Sequence, residues 1–546
     1  MRNTQRLQSI QGIQSMQLPV PVASQQRRGA HIVIIGNGIA GLTAAVAARR
    51  AAPHKGIIMV TEQSHPTINT PALKQFAIGK LEREQLLAYP GGTERNNTIQ
   101  VVHGRVEEIH AHDRSIQLAH GGILDYGDLL LATGSTPNGL PPDIPGRDFD
   151  GVLVLHRLQD YLSLRRRLYE VEDVVVIGGG MHAAETVMCM VQLGFQTHWL
   201  IRGKTFLSRT FDQAASAKMV QHIQQQGAIV YPETEVIGIV GSVGVVAGVV
   251  TNEQQMIACQ LVLVCTGSSP NTTLAARCSQ PIQHEPGRGI LVNDQLRTSV
   301  PGIYAAGDVA ALKNPQTGIH EVRAQWYAAV VQGHTAATSI TGTATEAPFF
   351  GTPWHATRIG DISILTVGNT ISSVPGVQMY NDCSKGSYRR LAVVNDRLVG
   401  YLSLGPTQPD GLAIKRIVDE EFSLREVGES LLKGTFDARR FSIQRHTRAT
   451  KAIKATHTVN TPAPVTSGRL PAIKPTPAPG HAQKNTPAIP DKGVLHTPAP
   501  GAGVSFTGTL IKRPVSPLPA TNPQASTYSH GIYNRQRGQF LQEKGS

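Results

Sequence analysis

Two glycine fingerprints about 140 residues apart constrain this chain more than any other feature, because each follows a β-branched run and opens an Ala-containing segment. The first reads His31-Ile-Val-Ile-Ile-Gly36-Asn-Gly38-Ile-Ala-Gly41, the second Val174-Val-Val-Ile177-Gly178-Gly-Gly180-Met-His-Ala183. In a strand–turn–helix setting, Gly36 and Gly178 permit the turn and Gly38 and Gly180 let the backbone approach a pyrophosphate. Gly41 and Ala183 then let helix pack on strand. The helix N-terminus presents free N–H groups and a partial positive charge to the phosphates. One such motif is a weak signal. Two in this context point to two dinucleotides and electron transfer between them.

The pattern around the fingerprints repeats. Tyr126-Gly-Asp128-Leu-Leu-Leu-Ala132-Thr133-Gly134 returns as Leu261-Val-Leu-Val-Cys265-Thr266-Gly267, each an apolar strand that stops at a Thr-Gly turn. Ala306-Gly307-Asp308 follows a further short apolar run, with Asp308 expected at a helix start. The expected fold class is therefore α/β: two Rossmann-like, three-layer dinucleotide-binding domains, a small α+β C-terminal domain and a disordered tail. A helical stretch is expected over 321–341, broken at Gly333. In 348–440 strands are expected over 362–367, 390–394 and 398–404, with a turn at Asn395-Asp396. Helices are expected from near Asp410 and over 423–432. Glu62 ends the strand after the first fingerprint, 21 positions beyond Gly41, where an acid bonds a ribose hydroxyl pair; an ordinary surface Glu is the other reading.

Charge separates the ends from the middle. The formal net charge is +13, yet residues 31–440 hold 34 basic and 36 acidic side chains. The excess lies in 1–30 and in 441–546, a Pro/Thr/Ala-rich stretch in which Thr-Pro-Ala recurs four times. That stretch has too few large apolar residues to offset the entropy of ordering it. It also lacks the aromatic interleaving of a nucleic-acid binder, so no specific nucleic-acid partner is expected. The Gln-rich leader 1–30 reads as disordered or, alternatively, as a targeting segment. No apolar run reaches the ~18 residues that span a bilayer. Five scattered cysteines form neither a disulfide framework nor a zinc spacing, and none of the 20 histidines has metal-ligand spacing. A soluble, cytoplasmic protein with no metal site is expected.

In this order and spacing the five motifs at 36–41, 132–134, 178–183, 265–267 and 306–308 resemble the FAD-dependent pyridine nucleotide-disulfide oxidoreductases. The resemblance is to the branch of ferredoxin, rubredoxin and nitrite reductase-like enzymes, and it covers roughly 31–440. It implies an FAD-binding domain (31–150 and 270–347) split by an NAD(P)-binding domain (151–269). It further implies that Gly36, Gly38 and Gly41 face the FAD pyrophosphate, Glu62 the adenosine ribose, and Asp308 the ribityl–phosphate region. Thr133, Gly134, Gly267 and Gly307 belong to the same implied cofactor set, and Gly178, Gly180 and Ala183 to the nicotinamide nucleotide. In relatives the Glu that ends the second fingerprint, here Glu185, lies near the nicotinamide and pairs with a Lys by the flavin. Lys74 is the candidate for that Lys, a surface helix Lys being the other reading. His182 reads either as a pyrophosphate contact or as an exposed helix residue. Trp326 and Tyr327 read either as residues near the flavin or as core.

Two departures sharpen the expectation. There is no cysteine before Cys189, which removes the disulfide-reductase chemistries. Electrons then leave to a carrier protein, a quinone or oxygen. NADH-preferring relatives carry Glu where Ile201 falls; its absence beside Arg202 and Lys204 favours NADPH. The leading expectation is a flavoprotein taking hydride from NAD(P)H to FAD and passing electrons to a small iron–sulfur or rubredoxin-like carrier. The 348–440 unit would serve dimerisation or docking. A type II NAD(P)H:quinone dehydrogenase, an NAD(P)H oxidase and a tail-tethered binding protein are the alternatives.

Overall fold

The runs Ile32–Ile35, Ile57–Val60 and Leu129–Leu131 are apolar at every position, without the alternation of a half-buried strand. Such runs suit parallel strands covered on both faces. In the computed structural model they do pair in parallel: the sheet order is Ile303–Ala305, Asp128–Leu131, His31–Ile35, Gly56–Thr61, Gln100–His103. Ile35 stands in register with both Val60 and Leu131. Burying each such side chain is worth about 1.5–3 kcal/mol, so the sheet centre anchors this part of the chain.

The structure describes residues 31–343, 350–371, 375–384, 386–407 and 409–441. The leader 1–30 and the low-complexity stretch from 442 onward lie outside the described residues. The chain divides into two units, one of 1–198 with 235–350, the other of 199–234 with 351–546.

In the first unit, helix Ile39–Ala51 packs along helix Trp326–Thr341. That second helix is unbroken at Gly333, contrary to the expected break. A Cβ on Gly333 would lie 2.5 Å from the Ala40 carbonyl oxygen, so the glycine permits close helix contact rather than a bend. The stretch before it is also not helical: His320–Val322 is a strand. A second parallel set joins Asp173–Ile177, Leu261–Val264 and Val152–Val154, with helix Met181–Gln192 following the first of these. The two strand–Thr-Gly copies meet. Ser135–Pro137 pairs antiparallel with Ser268–Pro270, and Asn271 donates from Nδ2 to the Thr133 carbonyl at 2.8 Å. The architecture is α/β, with parallel sheets flanked by helices, as in tandem dinucleotide-binding folds.

The second unit holds a five-stranded antiparallel sheet, ordered Trp354–Ile359, Ile362–Gly368, Arg397–Gly405, Tyr388–Val394, Gln378–Asp382. The three strands expected from sequence are its centre, and Asn395 and Asp396 form the hairpin turn with φ of 49° and 64°. The two edge strands went unread because edges carry polar residues and lose the alternating signal. Helix Gly411–Asp419 begins where expected, capped by Asp410, which accepts from Ala413 N–H at 3.0 Å. The helix expected over 423–432 is instead a 3-10 turn, Leu424–Glu426, followed by helix Gly428–Lys433. In the same unit helix Gln213–Gln225 is capped by Asp212, whose other oxygen accepts from Tyr388 and Arg390 of the sheet. Among the described residues no helix is long and apolar enough to cross a membrane.

Candidate functional site

The two glycine turns are built alike. Gly36 has φ of 110° and a Cβ there would sit 2.2 Å from the Ala132 carbonyl oxygen. Gly178 has φ of 145° and its Cβ would sit 2.3 Å from the Cys265 carbonyl oxygen. Ala132 and Cys265 are the matching residues of the two Thr-Gly repeats, so each fingerprint is pressed against its own copy of the same element. Gly38 and Gly180, in contrast, face open space: a Cβ on either would meet nothing within 4 Å. Both are helix N-caps without a side-chain cap bond, which leaves the first-turn N–H groups to an anion. This cradle fits a pyrophosphate on each turn.

Around the first turn, Glu62 follows strand Gly56–Thr61 and is exposed, 3.8 Å from Arg105. Asp308 is not at a helix start, as expected from sequence, but in the turn between strands Ile303–Ala305 and Ala310–Lys313. Two strands flank it because the chain crosses directly into a second sheet. Ser135 Oγ donates to Asp308 Oδ2 at 3.3 Å. Burial pushes the Asp308 carboxyl above the usual range, partly offset by Ser135 and by nearby His156. Next to it the Gly307 N–H donates to Gln332 Oε1 at 2.7 Å. Gln332 is fully buried, and its Nε2 has no hydrogen-bond partner among the described residues. An orphaned buried amide is costly unless a bound group satisfies it, and this one adjoins the residues implied to hold FAD. Sequence reading missed Gln332; a Gln inside an Ala-rich helix face is the signal it left.

Lys74 and Glu185 come together. Lys74 lies on the short helix Leu73–Ala77 and its Nζ is 2.8 Å from Glu185 Oε2 on helix Met181–Gln192. Their side chains are 15% and 26% exposed, so Lys74 is not a surface lysine. His182, three residues before Glu185, is turned inward rather than exposed. Its Nε2 lies 3.2 Å from the Leu155 carbonyl oxygen. Burial, with the Lys74 ammonium nearby, depresses its imidazole to about 4. His156, beside Leu155, is also held down, by burial and by Arg157. The backbone N–H groups of His156 and Arg157 both donate to Asp160 Oδ2, at 2.9 and 2.6 Å.

The thiols nearby are inert. Burial pushes Cys265 up to about 12 and Cys189 up to about 11, and all five cysteines are free. A thiol held so high supplies little thiolate near neutrality. Trp326 is half-buried and Tyr327 exposed, so neither is a core residue. Gly134 and Gly267 close the two Thr-Gly turns, while Thr133 Oγ1 donates to the Asn271 carbonyl at 3.1 Å. In the second unit Ile201 is buried and Arg202 is the first exposed residue after strand Gln196–Ile201. Arg202, not Ile201, thus holds the place that Glu62 holds after Gly56–Thr61. No group of three or more metal-ligating side chains occurs among the described residues.

The family described as pyridine nucleotide-disulphide oxidoreductase matches residues 30–333. The chain is 28% identical over 319 residues to a rubredoxin-NAD(+) reductase of Pseudomonas putida, covering 58% of this chain and 81% of that protein. It is 24% identical over 403 residues to an NAD(P)H nitrite reductase of Bacillus subtilis (strain 168), covering 73% of this chain and spanning about half, 48%, of that longer protein. Among solved structures, the ferredoxin reductase for the CYP199A2 system from Rhodopseudomonas palustris matches with 25% identity and a TM-score of 0.67, covering 76% of this chain and 99% of that one.

Proposed function

The chain belongs to the pyridine nucleotide-disulphide oxidoreductase family, and from that premise we propose that it is an FAD-dependent NAD(P)H oxidoreductase serving a small iron–sulfur or rubredoxin-like carrier. The observation that carries this reading is the half-buried Lys74–Glu185 pair at 2.8 Å, in a chain with no cysteine before Cys189. FAD, when bound, takes two electrons together from a hydride donor and gives them up singly. Gly36, Gly38 and Gly41 would hold its pyrophosphate, Glu62 its adenosine ribose, and Asp308 with Gly307, Thr133 and Gly134 the rest of the chain toward the flavin. Gly178, Gly180, Ala183 and Gly267 would receive the nicotinamide nucleotide.

The roles of the chain's own groups follow from their charges. Lys74 Nζ, its side chain 15% exposed, would place a positive charge where negative charge develops during hydride transfer. Glu185 pairs with that ammonium at 2.8 Å and holds it in place. Arg202, exposed at the strand end, offers a cation to a 2′-phosphate, so NADPH is the favoured donor. In domain terms, 31–150 with 270–347 binds FAD and 151–269 binds NAD(P)H. The 348–440 unit serves dimerisation or carrier docking, and a cytoplasmic enzyme is the setting proposed. Rubredoxin and ferredoxin reductases among the relatives support a protein acceptor.

The test is a stopped-flow screen. Purified holoenzyme is reduced by NADPH, then mixed with ferredoxin, rubredoxin, a quinone or oxygen. Fast reoxidation by an iron–sulfur or rubredoxin carrier is expected. Reoxidation that is fast only with quinone or oxygen overturns the carrier assignment, and a purified protein without the visible flavin band overturns the flavoenzyme.

A further inference from the structure

The second fingerprint contains a histidine that the proposed function leaves unused. His182 sits in the first turn of helix Met181–Gln192, three residues from Glu185 and so on the same helix side. A carbonyl oxygen only accepts, so the 3.2 Å contact with Leu155 fixes the proton on Nε2. Nδ1 is then a lone pair. Among the described residues the Leu155 carbonyl is the one hydrogen-bond partner of the ring, so Nδ1 is an unused acceptor. The charges of Lys74, Glu185 and His156 act on the ring, and burial with Lys74 outweighs Glu185 to hold it neutral at pH 7. The acceptor is therefore retained through the working range.

We propose that His182 is a specificity-determining residue that reads the carboxamide of the nicotinamide, its Nδ1 accepting from the amide N–H. The inference rests on the reading that places the nicotinamide at the Lys74–Glu185 pair. Its chemistry is that of a preset tautomer. The Leu155 carbonyl holds the imidazole in the one form that accepts at Nδ1, and an amide is a ligand group able to donate there while lying flat beside a hydride-accepting ring. A ketone in the same place has no N–H to give.

The experiment pairs two changes on the full-length holoenzyme. One is His182→Leu, with His182→Gln as a conservative variant that keeps a donor and an acceptor. The other is the nucleotide: the natural dinucleotide, its 3-acetylpyridine analogue, which lacks the amide N–H, and its thionicotinamide analogue, which keeps it. The kcat/KM ratio of natural to acetylpyridine nucleotide is expected to shrink about 5-fold in His182→Leu, the size of one neutral hydrogen bond. It recovers in His182→Gln, and the natural-to-thionicotinamide ratio stays unchanged throughout. Calorimetric Kd values of the oxidised forms, read without turnover, should show the same pattern. Equal discrimination in all three proteins, by both readouts, overturns the proposal. Glu185→Gln separates the underlying reading: if it leaves flavin reduction by the natural nucleotide unchanged, the nicotinamide does not lie at this pair, whatever His182 does.

Discussion

The two glycine turns share a backbone plan and differ in what surrounds them. Each presses its first glycine against the carbonyl of its own Thr-Gly repeat, at 2.2 and 2.3 Å for an added Cβ, and each leaves its second glycine facing open space. At the third position they part. A Cβ on Gly41 would lie 2.1 Å from the Gly36 carbonyl oxygen, whereas the second turn accommodates Ala183. The first is followed by Glu62, and Gly307, next to Asp308, donates to Gln332, whose amide nitrogen is orphaned among the described residues. The second is followed by Arg202 and flanked by His182 and Glu185. On the proposed function, the tighter turn would hold the cofactor that stays, and the turn that admits Ala183 the nucleotide that comes and goes.

The largest effect should come from adding a side chain to either turn. Gly36→Ala places Cβ into the Ala132 carbonyl at a positive φ, at a strain of about 1–3 kcal/mol, and should yield protein without bound flavin by its absorbance. Gly178→Ala should keep the flavin and lose its reduction by NADPH. If both variants retain flavin and reduce it normally, the division of labour between the turns is wrong.

Next in size is the Lys74 charge. Lys74→Met should slow flavin reduction by about 100-fold, as loss of one transition-state donor does elsewhere, with flavin content unchanged; an unaltered stopped-flow rate would remove Lys74 from the chemistry. Smaller again is the effect of Arg202. Arg202→Glu should shift the NADPH-to-NADH ratio of kcat/KM toward NADH by about 10-fold, or ~1.4 kcal/mol, and equal losses with both nucleotides would count against a 2′-phosphate role.

The smallest effect concerns Asp308. Its carboxyl is raised by burial in the folded chain, so it binds a proton more readily folded than unfolded. Its contribution to stability is then fully present below the unfolded value and lost as pH rises through the raised one. Apo-protein carrying Asp308→Asn should therefore melt slightly higher than wild type at pH 7, and the gap should close on acidification. Flavin affinity should fall in the same variant. A Tm difference independent of pH would assign Asp308 no linked proton.

Much of this was legible in the residues alone. The β-branched runs, the glycine spacings and the two Thr-Gly copies carry their structural meaning locally: turn geometry and strand burial depend on neighbours in the chain. They announced the α/β class, both glycine turns and the central strands of the C-terminal sheet. The edge strands Trp354–Ile359 and Gln378–Asp382 were not legible, because their polar faces carry no periodic signal. The last helix reads as one piece in sequence, but the backbone leaves helical geometry at Val427, φ −125°, just before Gly428. The segment therefore divides into a 3-10 turn and a short helix. The break expected at Gly333 is absent because that glycine answers to Ala40, nearly 300 positions away in the chain.

By itself, then, the amino-acid sequence determined that this protein has two glycine turns built on one plan and no cysteine before Cys189. Tertiary structure alone decided that Lys74 is half-buried against Glu185, that His182 turns to Leu155, and that Asp308 lies between two strands beside an unsatisfied Gln332. The physical reason is range. A turn is set by the dihedral freedom of a few adjacent residues, but the charge, tautomer and proton affinity of a side chain are set by groups that only the folded chain brings within a few ångströms.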